Sequence, residues 1–141
     1  MQRKASAVWR GALKDGKGTI STDSGTLKDT QYSFSTRFEN GVGTNPEELI
    51  AAAHAGCFAM AFSAELGKVG LTPESISATA TVTLDKTNEG FTVTQSHLDV
   101  TAKVPGADKA TVLQIANGAK AGCPISRLLN AKVTMDAKVA P

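Results

Sequence analysis

Apolar and polar residues alternate over the first forty positions and again from residue 75 onward, and between these regions polar residues almost vanish. That run, Thr44 to Phe62, opens with Asn45 suited to an N-cap and Pro46 to the first helical position. Glu48, three residues after the cap, can reach back to close a capping box. No charge follows until Glu65, and the run is rich in Ala. The pattern predicts a long central helix with no polar face, and therefore a buried one. It should end at Gly67 or Gly70, with Lys68 in its last turn and Pro73 just beyond. The run is slightly short for a membrane span and is interrupted by His54, and its small side chains predict close approach of another backbone.

The flanking segments read as strands. Lys4–Ala12 and Lys17–Thr22 predict a hairpin around Asp15-Gly16. Gln31–Phe38 predicts a third strand, with Tyr32 and Phe34 on one face and Arg37 leaving the strand end on the polar side. Ile76, Ala78, Ala80, Val82 and Leu84 alternate strictly, and Lys86–Gly90 turns the chain into a return strand. Phe91 and Val93 point inward at its start, whereas Leu98, Val100, Ala102 and Val104 carry the opposite parity. A one-residue bulge near Gln95-Ser96 would reconcile the two phases. Asp108 then caps a helix to about Ala121, Cys123-Pro124 opens a short helix to about Leu129, and Ala131–Val139 alternates as a last strand. This order predicts an α+β fold with antiparallel β-sheets around the central helix.

The length of 141 residues fits a single domain spanning 1–141. Fifteen basic and 13 acidic residues give a net charge of +2 without a basic cluster, and aromatics are 5%. No nucleic-acid partner is expected from such a chain. The N-terminus lacks the apolar core of a secretion signal and no membrane segment is read, so a cytoplasmic location is expected.

Two cysteines, Cys57 and Cys123, are the candidates for chemistry. In a reducing compartment a permanent structural disulfide is disfavoured, which leaves buried inert thiols, a redox pair or metal ligands. Cys57 lies about 16 Å along its helix, beyond the reach of the helix dipole, and its apolar neighbours would raise its pKa. To act as a nucleophile it needs a cation delivered from elsewhere, for which Arg37 is the best candidate. His54 shares the Cys57 face and could form a metal site with Cys57 and Cys123. Cys123, at a helix start, has the local setting of the more acidic thiol. Glu48 is accounted for by the capping box, leaving Glu47 unexplained. It stands about 15 Å from Cys57 along one straight helix, so a shared site needs either a broken helix or two copies of the chain.

The segments Thr44-Asn45-Pro46-Glu47-Glu48-Leu49, Ala51-Ala52-Ala53-His54-Ala55-Gly56-Cys57-Phe58 and Ala119-Lys120-Ala121-Gly122-Cys123-Pro124-Ile125-Ser126 closely resemble the OsmC/Ohr family of hydroperoxide reductases, nearer the OsmC branch. Phe34–Phe38 and Val104-Pro105-Gly106 extend the resemblance over essentially the whole chain. The resemblance implies a cysteine-based peroxidase without metal, haem or other cofactor, folded as an intertwined homodimer with two interfacial sites. It assigns Cys57 as the peroxidatic thiol, Cys123 as the resolving thiol, Arg37 as the activating cation and Glu47 as the carboxylate that holds it. His54 receives no catalytic role. The implied partners are a hydroperoxide substrate and a reductant, either a lipoylated protein or a small dithiol. A non-enzymatic ligand-binding or stress protein on the same fold, with inert cysteines, is the competing expectation.

Overall fold

The computed structural model describes all residues from Met1 to Pro141. The chain forms two compact units, Met1–Leu49 and Ile50–Pro141, each with its own three-stranded sheet.

The first unit is an antiparallel meander of β1 (Ala5–Arg10), β2 (Lys17–Thr22) and β3 (Thr30–Tyr32). The Trp9 and Tyr32 rings meet 5.5 Å apart over Gly18, their common neighbour in register. A Cβ on Gly18 would run into both rings, so only glycine lets them close over the middle strand.

The expected strand Gln31–Phe38 is cut short, because α1 (Phe34–Phe38) takes over after Tyr32. Ser33 caps α1 by accepting from the Thr36 N–H, and the Thr36 hydroxyl accepts from the Ser33 N–H at 2.8 Å. Phe34 and Phe38, one turn apart, pack ring to ring at 4.9 Å. The reciprocal cap and this i,i+4 aromatic pair outweigh the three-residue alternation that suggested a strand. Arg37 therefore stands in the last turn of a short helix, not at a strand end.

The unit boundary falls in the first turn of α2 (Pro46–Lys68). Asn45 caps α2 through Oδ1, which accepts from the Glu48 N–H at 2.7 Å, while its Nδ2 donates to the Thr36 carbonyl. Glu48 accepts from the Thr44 hydroxyl at 2.8 Å and not, as expected, from the cap N–H. Gly70, in the left-handed region at φ +78, follows the helix, and the Leu71 N–H donates back to the Leu66 carbonyl.

In the second unit β4 (Ser75–Thr87) and β5 (Gly90–Lys103) form the expected long antiparallel pair. The register slips between Thr83 and Leu84, leaving Thr94 as the extra residue beside the predicted bulge site. The inward parity of Ser96, Leu98, Val100 and Ala102 starts after that slip. Phe91, before it, is 61% exposed and not inward. β6 (Lys132–Val139) pairs parallel to β5, so the second sheet is mixed where antiparallel strands were expected. The connection through α3 (Lys109–Gly122) and α4 (Pro124–Leu128) is long enough for the crossover that a parallel pair requires.

The core of this unit joins Phe58, Phe62 and Leu66 of α2, Leu98, Val100 and Ala102 of β5, and Val112, Ala116 and Ala119 of α3. Only the stripe His54, Phe58, Phe62, Leu66 of α2 is fully buried. Ala52, Ala53, Gly56, Met60 and Ala64 remain exposed, so the helix expected to be buried all round is covered on one side in this chain. By length and composition alone α2 could cross a membrane. The fully buried Phe58→Ala is expected to cost about 3–5 kcal/mol of stability, read as a lowered urea midpoint with the m-value unchanged.

Candidate active site

The four predicted site residues fall into two pairs, each within one unit. In the first unit the planar Arg37 guanidinium lies against the Glu47 carboxylate, Nη2 donating to Oε1 at 2.7 Å and Nε to Oε1 and Oε2 at 3.0 and 3.2 Å. Such a fork holds the cation in one plane as well as pairing its charge. The guanidinium carbon also sits 5.3 Å from the Phe38 ring centroid. Arg37 borders a groove of about 310 Å³ whose other walls include Trp9, Leu13, Tyr32, Phe34 and Phe38. An apolar groove with one fixed cation suits a molecule that has an oily body and a polar end.

In the second unit Cys57 and Cys123 are both reduced, Cys57 half-buried and Cys123 fully buried. The Cys123 side chain and the Ile125 backbone N–H are the polar groups that act on the Cys57 sulfur. Burial is the largest influence on Cys57 and pushes its thiol pKa up, with Cys123 adding to the rise and the Ile125 N–H opposing it. Cys123 is the joint between α3 and α4: its N–H closes α3 on the Ala119 carbonyl, and Pro124 follows as the first residue of α4. Sequence proximity gives the α4 start to Cys123, but the tertiary fold aims the Ile125 N–H from that start at Cys57.

His54, one turn before Cys57, is fully buried. Its Nδ1 lies 2.6 Å from the Ser96 hydroxyl and its Nε2 2.8 Å from the Ser126 hydroxyl. With both ring nitrogens engaged, His54 has no lone pair for the metal site considered with Cys57 and Cys123. Burial lowers its pKa from 6.5, so the folded chain keeps the ring neutral while the unfolded chain takes up a proton as pH falls. Stability should therefore decline with acidification below 6.5. In thermal unfolding followed from pH 7 to 5, wild type should lose more than His54→Gln; equal losses would refute the assignment.

Ser96, Ser126 and the Ile125 N–H were not identified in the sequence as part of this arrangement. The available signal was positional, since Ser126 follows Cys123 by three residues as His54 precedes Cys57 by three. The side chains placed to offer a cation three ligand atoms are His97, Asp99 and Asp136, on β5 and β6. They already pair among themselves, His97 Nε2 lying 3.4 Å from Asp99 and 3.2 Å from Asp136.

The family model for OsmC-like protein matches residues 38–138. Peroxiredoxin OsmC of Escherichia coli (strain K12) is 52% identical over 136 residues, covering 96% of this chain and 95% of that protein. The organic hydroperoxide resistance protein of Xanthomonas axonopodis pv. citri is 32% identical over 102 residues, 71% of this chain and 69% of that protein. Among solved structures, an organic hydroperoxide resistance protein OsmC from Legionella pneumophila superposes with a TM-score of 0.68 at 25% identity, covering 98% of this chain and 97% of that one. Agreement of the family model, the near full-length relative and the fold shows that the chain belongs to the OsmC family.

Proposed function

We propose that this chain is a thiol-dependent peroxidase that reduces organic hydroperoxides, and hydrogen peroxide as a further substrate, in oxidative or osmotic stress defence. The observation that carries the reading is the pair of free thiols, Cys57 and Cys123, brought together in one core. The names of the relatives, peroxiredoxin and organic hydroperoxide resistance protein, support the same chemistry. The aromatic groove beside Arg37 favours a peroxide with an organic body.

In the proposed cycle the Cys57 thiolate attacks the distal peroxide oxygen. The O–O bond breaks, an alcohol or water leaves with one proton, and Cys57 becomes a sulfenic acid. The Cys123 thiol displaces that oxygen as water and forms the Cys57–Cys123 disulfide. An external dithiol, a small molecule or a lipoylated protein, then reduces the disulfide by exchange. No metal or other cofactor enters these steps. Arg37, held by Glu47, stabilises the thiolate and polarises the peroxide.

We further infer a cytoplasmic homodimer in which the 141 residues work as one OsmC-like domain. The occupant inferred for the exposed Ala52–Met60 face of α2 is a second copy of the chain. Only 22% of the most apolar window of that helix is buried, and its small residues admit close packing. The working form inferred for Glu47 and Cys57 is the two-copy arrangement, in keeping with their separation of about 15 Å along one straight helix. Purified protein supplied with dithiothreitol should consume cumene hydroperoxide in proportion to intact Cys57. Absence of Cys57-dependent consumption would sink the peroxidase and favour the non-enzymatic binding protein.

A further inference from the structure

The peroxidase cycle gives no task to His54, although it is a fully buried polar side chain whose ring is engaged on both edges. A neutral imidazole donates from one nitrogen and accepts at the other, and serine hydroxyls can answer either way. The ring thus bridges Ser96 on β5 and Ser126 on α4 with no polar atom left over.

The element held at the Ser126 end is α4, a five-residue helix with no fully buried side chain. A helix of one turn is not stable alone, so its position depends on its tertiary contacts. Ser126 directly follows Ile125, whose N–H acts on the Cys57 sulfur and which packs with Cys57 against the same core, and Cys57 lies one turn beyond His54 on α2. The result is a closed circuit: His54 to Ser126, along the backbone to Ile125, across to the Cys57 sulfur, and back along α2.

We propose that His54, acting through Ser126, is a positioning residue that keeps the Ile125 N–H beside Cys57 and so sets the reactivity of that thiol. The inference rests on the reading of Cys57 as the reacting thiol. Within this unit the groups acting on the Cys57 sulfur are the Cys123 thiol, which opposes the thiolate, and the Ile125 N–H, which favours it. Loosening α4 therefore removes the favourable one.

The test measures the pH dependence of Cys57 alkylation by iodoacetamide in a Cys123→Ser background, so that one thiol reports. Ser126→Ala and His54→Gln are compared with that background, alongside melting temperatures. The expected result is a titration displaced to higher pH and alkylation at pH 7 slowed about 3–10-fold, the worth of one lost hydrogen bond. Ser126→Thr, which keeps a hydroxyl, should restore the profile. A merely structural role would lower the melting temperature and leave the profile in place, and that outcome in Ser126→Ala overturns the proposal even if His54→Gln fails to fold. Alkylation requires no peroxide, so failure of the peroxidase reading would appear separately, as a wild-type protein with an ordinary thiol titration and no turnover.

Discussion

Cys57→Ser is expected to abolish dithiol-dependent reduction of cumene hydroperoxide, lowering turnover by at least about 10³-fold, the scale on which removal of a nucleophile acts. The physical reason is the ionisation of the attacking atom. A thiolate is accessible near neutral pH and soft enough to attack an O–O bond, whereas a serine hydroxyl stays protonated there. Cys123→Ser should act differently. Its first turnover survives, one equivalent of peroxide is consumed per chain, and a sulfenic acid accumulates on Cys57 that dimedone can trap and mass spectrometry can locate. The thiol contact explains the difference, because the sulfur that would resolve the sulfenic acid is already beside it. Adduct on Cys123 in the Cys57→Ser protein, with peroxide still consumed, would reverse the two roles.

Arg37→Ala should lower kcat/KM for cumene hydroperoxide by about 10²–10³-fold, the usual cost of removing a fixed group that stabilises developing charge. Arg37→Lys should recover little of the loss. A lysine keeps the charge but cannot reproduce the fork whose three contacts with Glu47 lie between 2.7 and 3.2 Å. Wild-type kinetics in Arg37→Lys would show that charge alone matters and that the plane set by Glu47 does not.

The same substitution tests the two-copy arrangement. Arg37→Ala and Cys57→Ser, each inactive alone, should regain about a quarter of wild-type activity after co-refolding if sites are completed across copies, because half of random dimers are mixed and each has one intact site. No recovery would place Arg37 and Cys57 of one chain in one site.

Much of this was readable in the residues. Asn45, Pro46 and Asp108 marked helix starts because caps and first-turn residues act through bonds three positions away. Strict alternation marked β4 and β6, and the change of parity along β5 located a bulge to within a residue of Thr94. The candidate residues came from the family resemblance, and two of them, Arg37 and Glu47, meet in a fork. Where local signals competed, the reading failed. Tyr32 to Phe38 satisfies a strand alternation and a capping box at once, and the capping box with its aromatic pair prevailed.

Cys57 and Cys123 show most clearly where sequence stops. Taken separately, one is a thiol in the middle of an apolar helix and the other a thiol at a helix start, which ranks Cys123 as the more activated. Their contact, the Ile125 N–H turned toward Cys57, and the placement of His54 between Ser96 and Ser126 all join residues distant in sequence. Likewise the parallel pairing of β6 with β5 follows from the path of a long crossover rather than from any residue in β6. The sequence by itself determined the starts of α2 and α3, the parity of β4 and β6 and which side chains are candidates for chemistry, because caps, periodicity and side-chain chemistry are local. Only the tertiary structure decided which thiol receives the backbone donor and what a buried histidine holds, because those depend on contacts that chain folding alone creates.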